Sequence, residues 1–214
     1  MRLSVLLICA LASTVVNVSD IHAQWVQTNG PYAGFITSFG AHDSTLFAST
    51  EGAGVYVSTD NAVTWREMNI GIADLWVNDL LIVDTDLFAS TYDSIYRTST
   101  RSGIWESLGR LNSTVSAFAA VTGNVFAATN TGVFRSVDRG ASWNIVNFGL
   151  PTDIRSYGGP PDTMIAPTVT LTTLGLNLFV GTRNHGVYIS TNNGDSWQLG
   201  TLAFKTLMSH FLVL

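Results

Sequence analysis

A chain of 214 residues can bury a sizeable core, and this one is unusually apolar: 46% of its residues are hydrophobic, 11% aromatic and only 12% charged. The net charge is −5 and the nine Arg and one Lys are dispersed, so there is no basic stripe for a phosphate backbone and nucleic acid is excluded as an expected partner. Nineteen Gly, five Pro and scattered Lys and Glu argue against long amphipathic helices and for small sheets covered on both faces.

Residues 1–23 read as a secretory signal. Arg2 supplies the positive n-region, Leu3 to Val18 the apolar stretch, and Ile21-His22-Ala23 a cleavage site before Gln24. A secreted protein, periplasmic or extracellular, is therefore expected. No later run reaches the roughly 18 apolar residues of a membrane span. Cleavage also removes Cys9, the one cysteine, and with it any disulfide, thiol nucleophile or metal thiolate. Gln24 to Pro31 then resembles an outer strand without its sheet.

From there the chain repeats. An octet ends at Trp65, Trp105, Trp143 and Trp197, spaced 40, 38 and 54 residues apart. The clearest copy is Ser136 to Trp143. Asp138, like Asp60 and Asn192, suits a tight turn as an acceptor of backbone N–H groups, and Gly140 and Gly194 suit its positive φ. Ser142, Thr64 and Ser196 add a hydroxyl, and Ser58, Ser136 and Ser190 open the octet. The second copy keeps Thr98 and Trp105 but has Thr100 for the acid, Ser102 for Gly and Ile104 for the hydroxyl. Upstream of each octet stand two five-residue strands, such as Leu46 to Thr50 and Gly54 to Ser58, preceded by a small-residue strand and followed by a short one from the Trp. Four strands per period of about 40 residues predict an all-β propeller of four-stranded antiparallel blades. The blades are expected near 36–72, 77–112, 115–150 and 169–204, with an inserted irregular loop over 151–168 that holds four of the five prolines.

These octets resemble the Asp-box, or BNR repeat, of sialidase-like β-propellers. The resemblance implies a turn-building role for the box residues and admits very different functions: sialidases, xyloglucan-active hydrolases, sortilin ectodomains and photosystem II assembly factors. A sialidase-type site would need converging arginines, a Tyr with a Glu partner and an acid/base Asp. Arg66, Arg97, Arg135 and Arg139 fall instead in or beside rim strands and boxes, so no catalytic residue is assigned. In a blade of this kind the box joins the third strand to the fourth, and the second-to-third loops lie on the opposite face. That face, with the insertion, carries Glu51, Tyr92, Asp93, Asn130, Asp153, Arg155, Tyr157, Asp162, Arg183 and His185, the expected ligand contacts.

His22, His42, His185 and His210 are dispersed and Asp84-Thr85-Asp86 sits where a hairpin turn belongs, so neither a metal nor a cofactor is expected. After Trp197 no further box follows, and the ending Phe211-Leu212-Val213-Leu214 is apolar. An open arc is expected, cut from a longer propeller. The reading reached is a secreted, non-catalytic binding or scaffolding propeller with a glycan or protein partner. The alternatives are a sialidase-like glycoside hydrolase and an assembly factor.

Overall fold

The computed structural model describes residues 30–31, 34–155 and 162–200. The signal, most of the 24–31 strand, Tyr157 and the chain after residue 200 lie outside them. Among the described residues there is no helix long and apolar enough to cross a membrane.

Strands follow one another by short turns, so each packs against its predecessor. The first blade is β1 (Phe35–His42), β2 (Thr45–Glu51), β3 (Gly54–Ser58) and β4 (Arg66–Glu67); the second is β5 (Asp79–Val83), β6 (Asp86–Ser90), β7 (Ile95–Ser99) and β8 (Glu106–Ser107). The third is β9 (Val115–Val121), β10 (Asn124–Thr129), β11 (Gly132–Ser136) and β12 (Asn144–Ile145). A hairpin of β13 (Thr152–Arg155) and β14 (Asp162–Ile165) precedes the fourth, β15 (Thr168–Leu174), β16 (Asn177–Thr182), β17 (Gly186–Ser190) and β18 (Gln198–Leu199). Each blade is an antiparallel four-stranded sheet in chain order. The hairpin corrects the reading of 151–168 as an irregular loop: Thr152, Asp153, Ile154 and Arg155 pair with Ile165, Met164, Thr163 and Asp162. The prolines and glycines that argued for irregularity fall around and between these two runs.

The second strands are buried on both sides because neighbouring sheets cover them. Phe47, Phe88 and Phe126 are fully buried, each contributing about 1.5–3 kcal/mol of transfer free energy. Among the described residues the apolar core is three clusters, one per joint between blades. Phe47, Met68, Leu80 and Trp105 fill the first. Phe88, Val115, Phe118 and Phe134 fill the second, and Phe126, Val146, Leu178 and Trp197 the third. The boxes take part in these joints. A Cβ on Gly140 would stand 3.1 Å from the Phe88 ring of the preceding blade, and one on Gly194 would stand 2.7 Å from Phe126. The box glycine is thus a lid over the previous blade's phenylalanine.

The innermost strands β1, β5, β9 and β15 stand side by side around the axis. One polar residue of each of the first three inner strands or its approach reaches to the next blade: Thr37 Oγ1 donates to the Val77 carbonyl at 2.6 Å, Asn78 Nδ2 to Val115 at 3.1 Å and Ser116 Oγ to Thr168 at 3.0 Å. Thr37 and Ser116 are free to do so because a β-bulge leaves them out of the pairing ladder. Val169 occupies the same position in the fourth blade and has no such donor. Hydrogen bonds do not close the series into a ring, so the described blades form an open arc.

Candidate functional site

One end of the arc is shaped by a repeated device. A buried threonine stands within one residue of the end of every second strand: Thr50, Thr91, Thr129 and Thr182. Its hydroxyl donates to a carbonyl across the following turn: Gly54 at 2.9 Å, Ser94 at 3.3 Å, Gly132 at 2.8 Å and Gly186 at 2.8 Å. In blades one and three an asparagine two residues past the fourth strand locks the same loop. Asn69 accepts from the Val55 N–H at 2.7 Å and donates to the Ala53 carbonyl, and Asn147 does the same for Val133 and Thr131. A Cβ at Gly54 or Gly132 would collide with those amides. Blade two has Ser94 in place of the glycine and Gly109 in place of the asparagine, and there the Gly109 carbonyl takes the Ile95 N–H.

These fixed loops display most of the residues expected on this face. Tyr92 is 71% exposed. Asp93 is held by Arg110 at 3.1 Å and accepts from the Ser94 hydroxyl at 2.8 Å. Asn130 accepts from Ser113 Oγ at 2.5 Å. His185 Nε2 meets Asp153 Oδ1 at 2.6 Å, tying the fourth blade's loop to the inserted hairpin. Arg183 is exposed, and its backbone N–H donates to Pro167. Asp162 is exposed opposite Arg155 in the hairpin register. Blades two, three and four each place polar or aromatic residues of their own on this face.

Two residues on this end were not singled out by sequence. Trp76, in the connection from blade one to blade two, bridges Glu51 through the backbone and is 56% exposed. Its indole nitrogen lies 3.7 Å from where a Cβ on Gly52 would stand, so the ring rests over the neighbouring loop. It escaped notice because it falls outside the repeat patterns. Asp79 opens β5 at the same end, with Oδ2 accepting the Phe118 N–H at 2.7 Å. Burial pushes its carboxyl above the ordinary range, while hydrogen bonds from the Ser38 side chain and from the Phe118 and Leu80 backbone pull it down. It ties three inner strands together.

On the other end stand the boxes. Asp60 accepts from the Thr64 N–H at 2.9 Å and hydroxyl at 2.5 Å, and Asp138 from the Ser142 N–H at 2.8 Å and hydroxyl at 2.6 Å. Ser58 and Ser136 donate to those carboxylates and accept from the N–H at position five, as Ser190 does for Asn192 and Gly194. Asn192 accepts from the Ser196 N–H at 3.0 Å. In the second copy Thr98 Oγ1 instead donates to the Ile104 carbonyl at 2.7 Å. Trp105 and Trp197 are buried, and their indoles donate to Met68 and Val146 of the preceding blade. Trp143 stacks on Phe118 of its own blade, and Trp65 faces Phe39.

No family model matches the chain, and no curated protein matches its sequence. Solved structures do. An ancestral GH74 enzyme superposes with a TM-score of 0.61 at 19% identity, over 78% of this chain and 24% of that one. The fold is a β-propeller. The GH74 xyloglucanase from Xanthomonas campestris gives 0.57 at 18% identity, over 78% of this chain and 30% of its own. YCF48 bound to D1 peptide gives 0.58 at 12% identity, over 86% of this chain and 59% of its own. The chain thus spans about a quarter to three fifths of these propellers, and they share its fold at low identity.

Proposed function

We propose that this propeller is a secreted, non-catalytic binding or scaffolding module whose ligand, a peptide or glycan segment, lies across the threonine-capped loop face. The observation that carries this reading is the pair of large aromatic side chains, Trp76 and Tyr92, standing exposed on neighbouring loops of a face whose turns are hydrogen-bonded in place. Rigid Trp and Tyr anchors give contact area at low entropic cost. The polar groups of the face are themselves tied to one another, Asp93 to Arg110 and Asp153 to His185, which adds to its rigidity. The peptide-bound YCF48 lends the same direction to the reading, as a propeller of this fold that holds a chain segment. The test is a peptide and glycan array screened with wild type and Trp76→Ala, beside a hydrolysis screen. Retained binding in Trp76→Ala, or release of a hydrolysis product, would sink it.

A further inference from the structure

The three joints between blades are not alike on the box side. At the second joint Arg97 of β7 donates to the Arg139 carbonyl of the next box at 2.9 Å, and at the third Arg135 of β11 donates to the Asn193 carbonyl at 2.7 Å and meets Asp195 at 2.6 Å. Each guanidinium ties two blades together, and the cavity of about 390 Å³ that remains beside Arg97 at the second joint is lined by Asp86, Glu106 and Arg139, so its cations already face carboxylates. At the first joint the corresponding residue of β3 is Val57, and the box opposite it is the degenerate one. A cavity of about 260 Å³ is left there.

Its walls have a consistent chemistry. Arg66 and Arg101 contribute two guanidinium groups, and neither is in an ion pair among the described residues. Thr45, Thr59 and Ser102 contribute hydroxyls, Val57 and Met68 the apolar wall, and among the described residues no carboxylate lines it. Thr100 stands where the other boxes place an Asp or Asn. Only 9% of it is exposed, and its Oγ1 is buried without a hydrogen-bond partner. Such an orphaned donor costs roughly 1–3 kcal/mol unless something satisfies it. With Thr100 in place of the box acid, the two cations line the cavity with no carboxylate beside them among the described residues.

We propose that this cavity binds a small oxyanion, a sulfate, phosphate or carboxylate group, between Arg66 and Arg101, with the hydroxyls of Thr45, Thr59 and Ser102 as further donors. Guanidinium groups match the geometry of such anions. The volume lies below the roughly 300–1,000 Å³ of ordinary ligand pockets, which suits one acidic group rather than a whole metabolite. The site is on the box side, away from the loop face and independent of it.

The full chain is titrated with inorganic sulfate and with a sulfated oligosaccharide at constant ionic strength, alongside Arg66→Gln, Arg101→Gln and Thr100→Val. Saturable binding is expected, weakened about tenfold or more in either Arg variant. Thr100→Val matches the native side chain in shape and removes only the sequestered hydroxyl, so it should lower neither the sulfate affinity nor the thermal midpoint. If the oligosaccharide binds tighter than sulfate and the two Arg variants abolish it, the natural anion is a pendant acidic group; equal affinities assign a free ion. A response to sulfate that never saturates, or is the same in all variants, is general salt exclusion and overturns the proposal.

Discussion

At Asp138 a carboxylate does the work that an amide does at Asn192: both accept the serine N–H four residues on, at 2.8 Å and 3.0 Å. They differ in what acid does to them. The Ser142 hydroxyl, then the Ser142 N–H and the Ser136 hydroxyl, hold Asp138 at a pKa of about 2 against an ordinary 3.8, and Thr64 does the same for Asp60. A depressed folded pKa means that the contribution is complete above the unfolded value of 3.8 and is lost as pH falls towards 2. Asp138→Asn, copying the fourth box, should leave stability near neutrality little changed and make its decline between about pH 4 and 2 shallower. Asp138→Ala should lower the thermal midpoint at every pH above that window. Urea titrations at pH 7 and pH 3 distinguish these; identical pH slopes for wild type and Asp138→Asn would refute the account.

Within each element, most of the pattern could be read along the chain because its causes are local. The alternation in Gly132 to Ser136, the threonine at the end of β10 and the octet after β11 act within about ten residues of one another. The hairpin of β13 and β14 was obscured by prolines and glycines, although Thr152-Asp153-Ile154 and Thr163-Met164-Ile165 are reasonable strand sequences. What could not be read were the joints, whose partners lie 37 to 60 residues apart: Trp105 on Met68, Arg97 on Arg139, Arg135 on Asp195. Nothing in Val57 taken alone announces a cavity; it acquires meaning only beside Arg97 and Arg135 at the same strand position. Arg135→Val, which copies the first joint into the third, should cost about 1–2 kcal/mol, since it removes a charge-assisted bond whose acidic partner is largely exposed. A urea midpoint unchanged by that substitution would show that the clamp adds nothing.

Over the whole molecule, a series of sheets that touch only their neighbours has a stability close to the sum of its blades and joints, and its two flanks carry the cost of whatever does not cover them. On the first blade's flank Phe35 is 80% exposed and Phe39 64%. On the fourth blade Leu174, Leu176 and Leu199 stand out, and Phe179 is only half-buried while its counterparts Phe47, Phe88 and Phe126 are fully so. The difference follows from the lid: Gly140 and Gly194 cover Phe88 and Phe126, and among the described residues no further box covers Phe179. Apolar flanks at both ends of an arc favour end-to-end contact, which does not close and so continues. The chain should therefore associate with rising concentration in light scattering, and Phe39→Asp combined with Leu199→Asp should reduce that association while leaving the three inner joints intact. A monomer at all concentrations would mean that these flanks are satisfied within the chain, and an association unmoved by the charges would place the contact elsewhere.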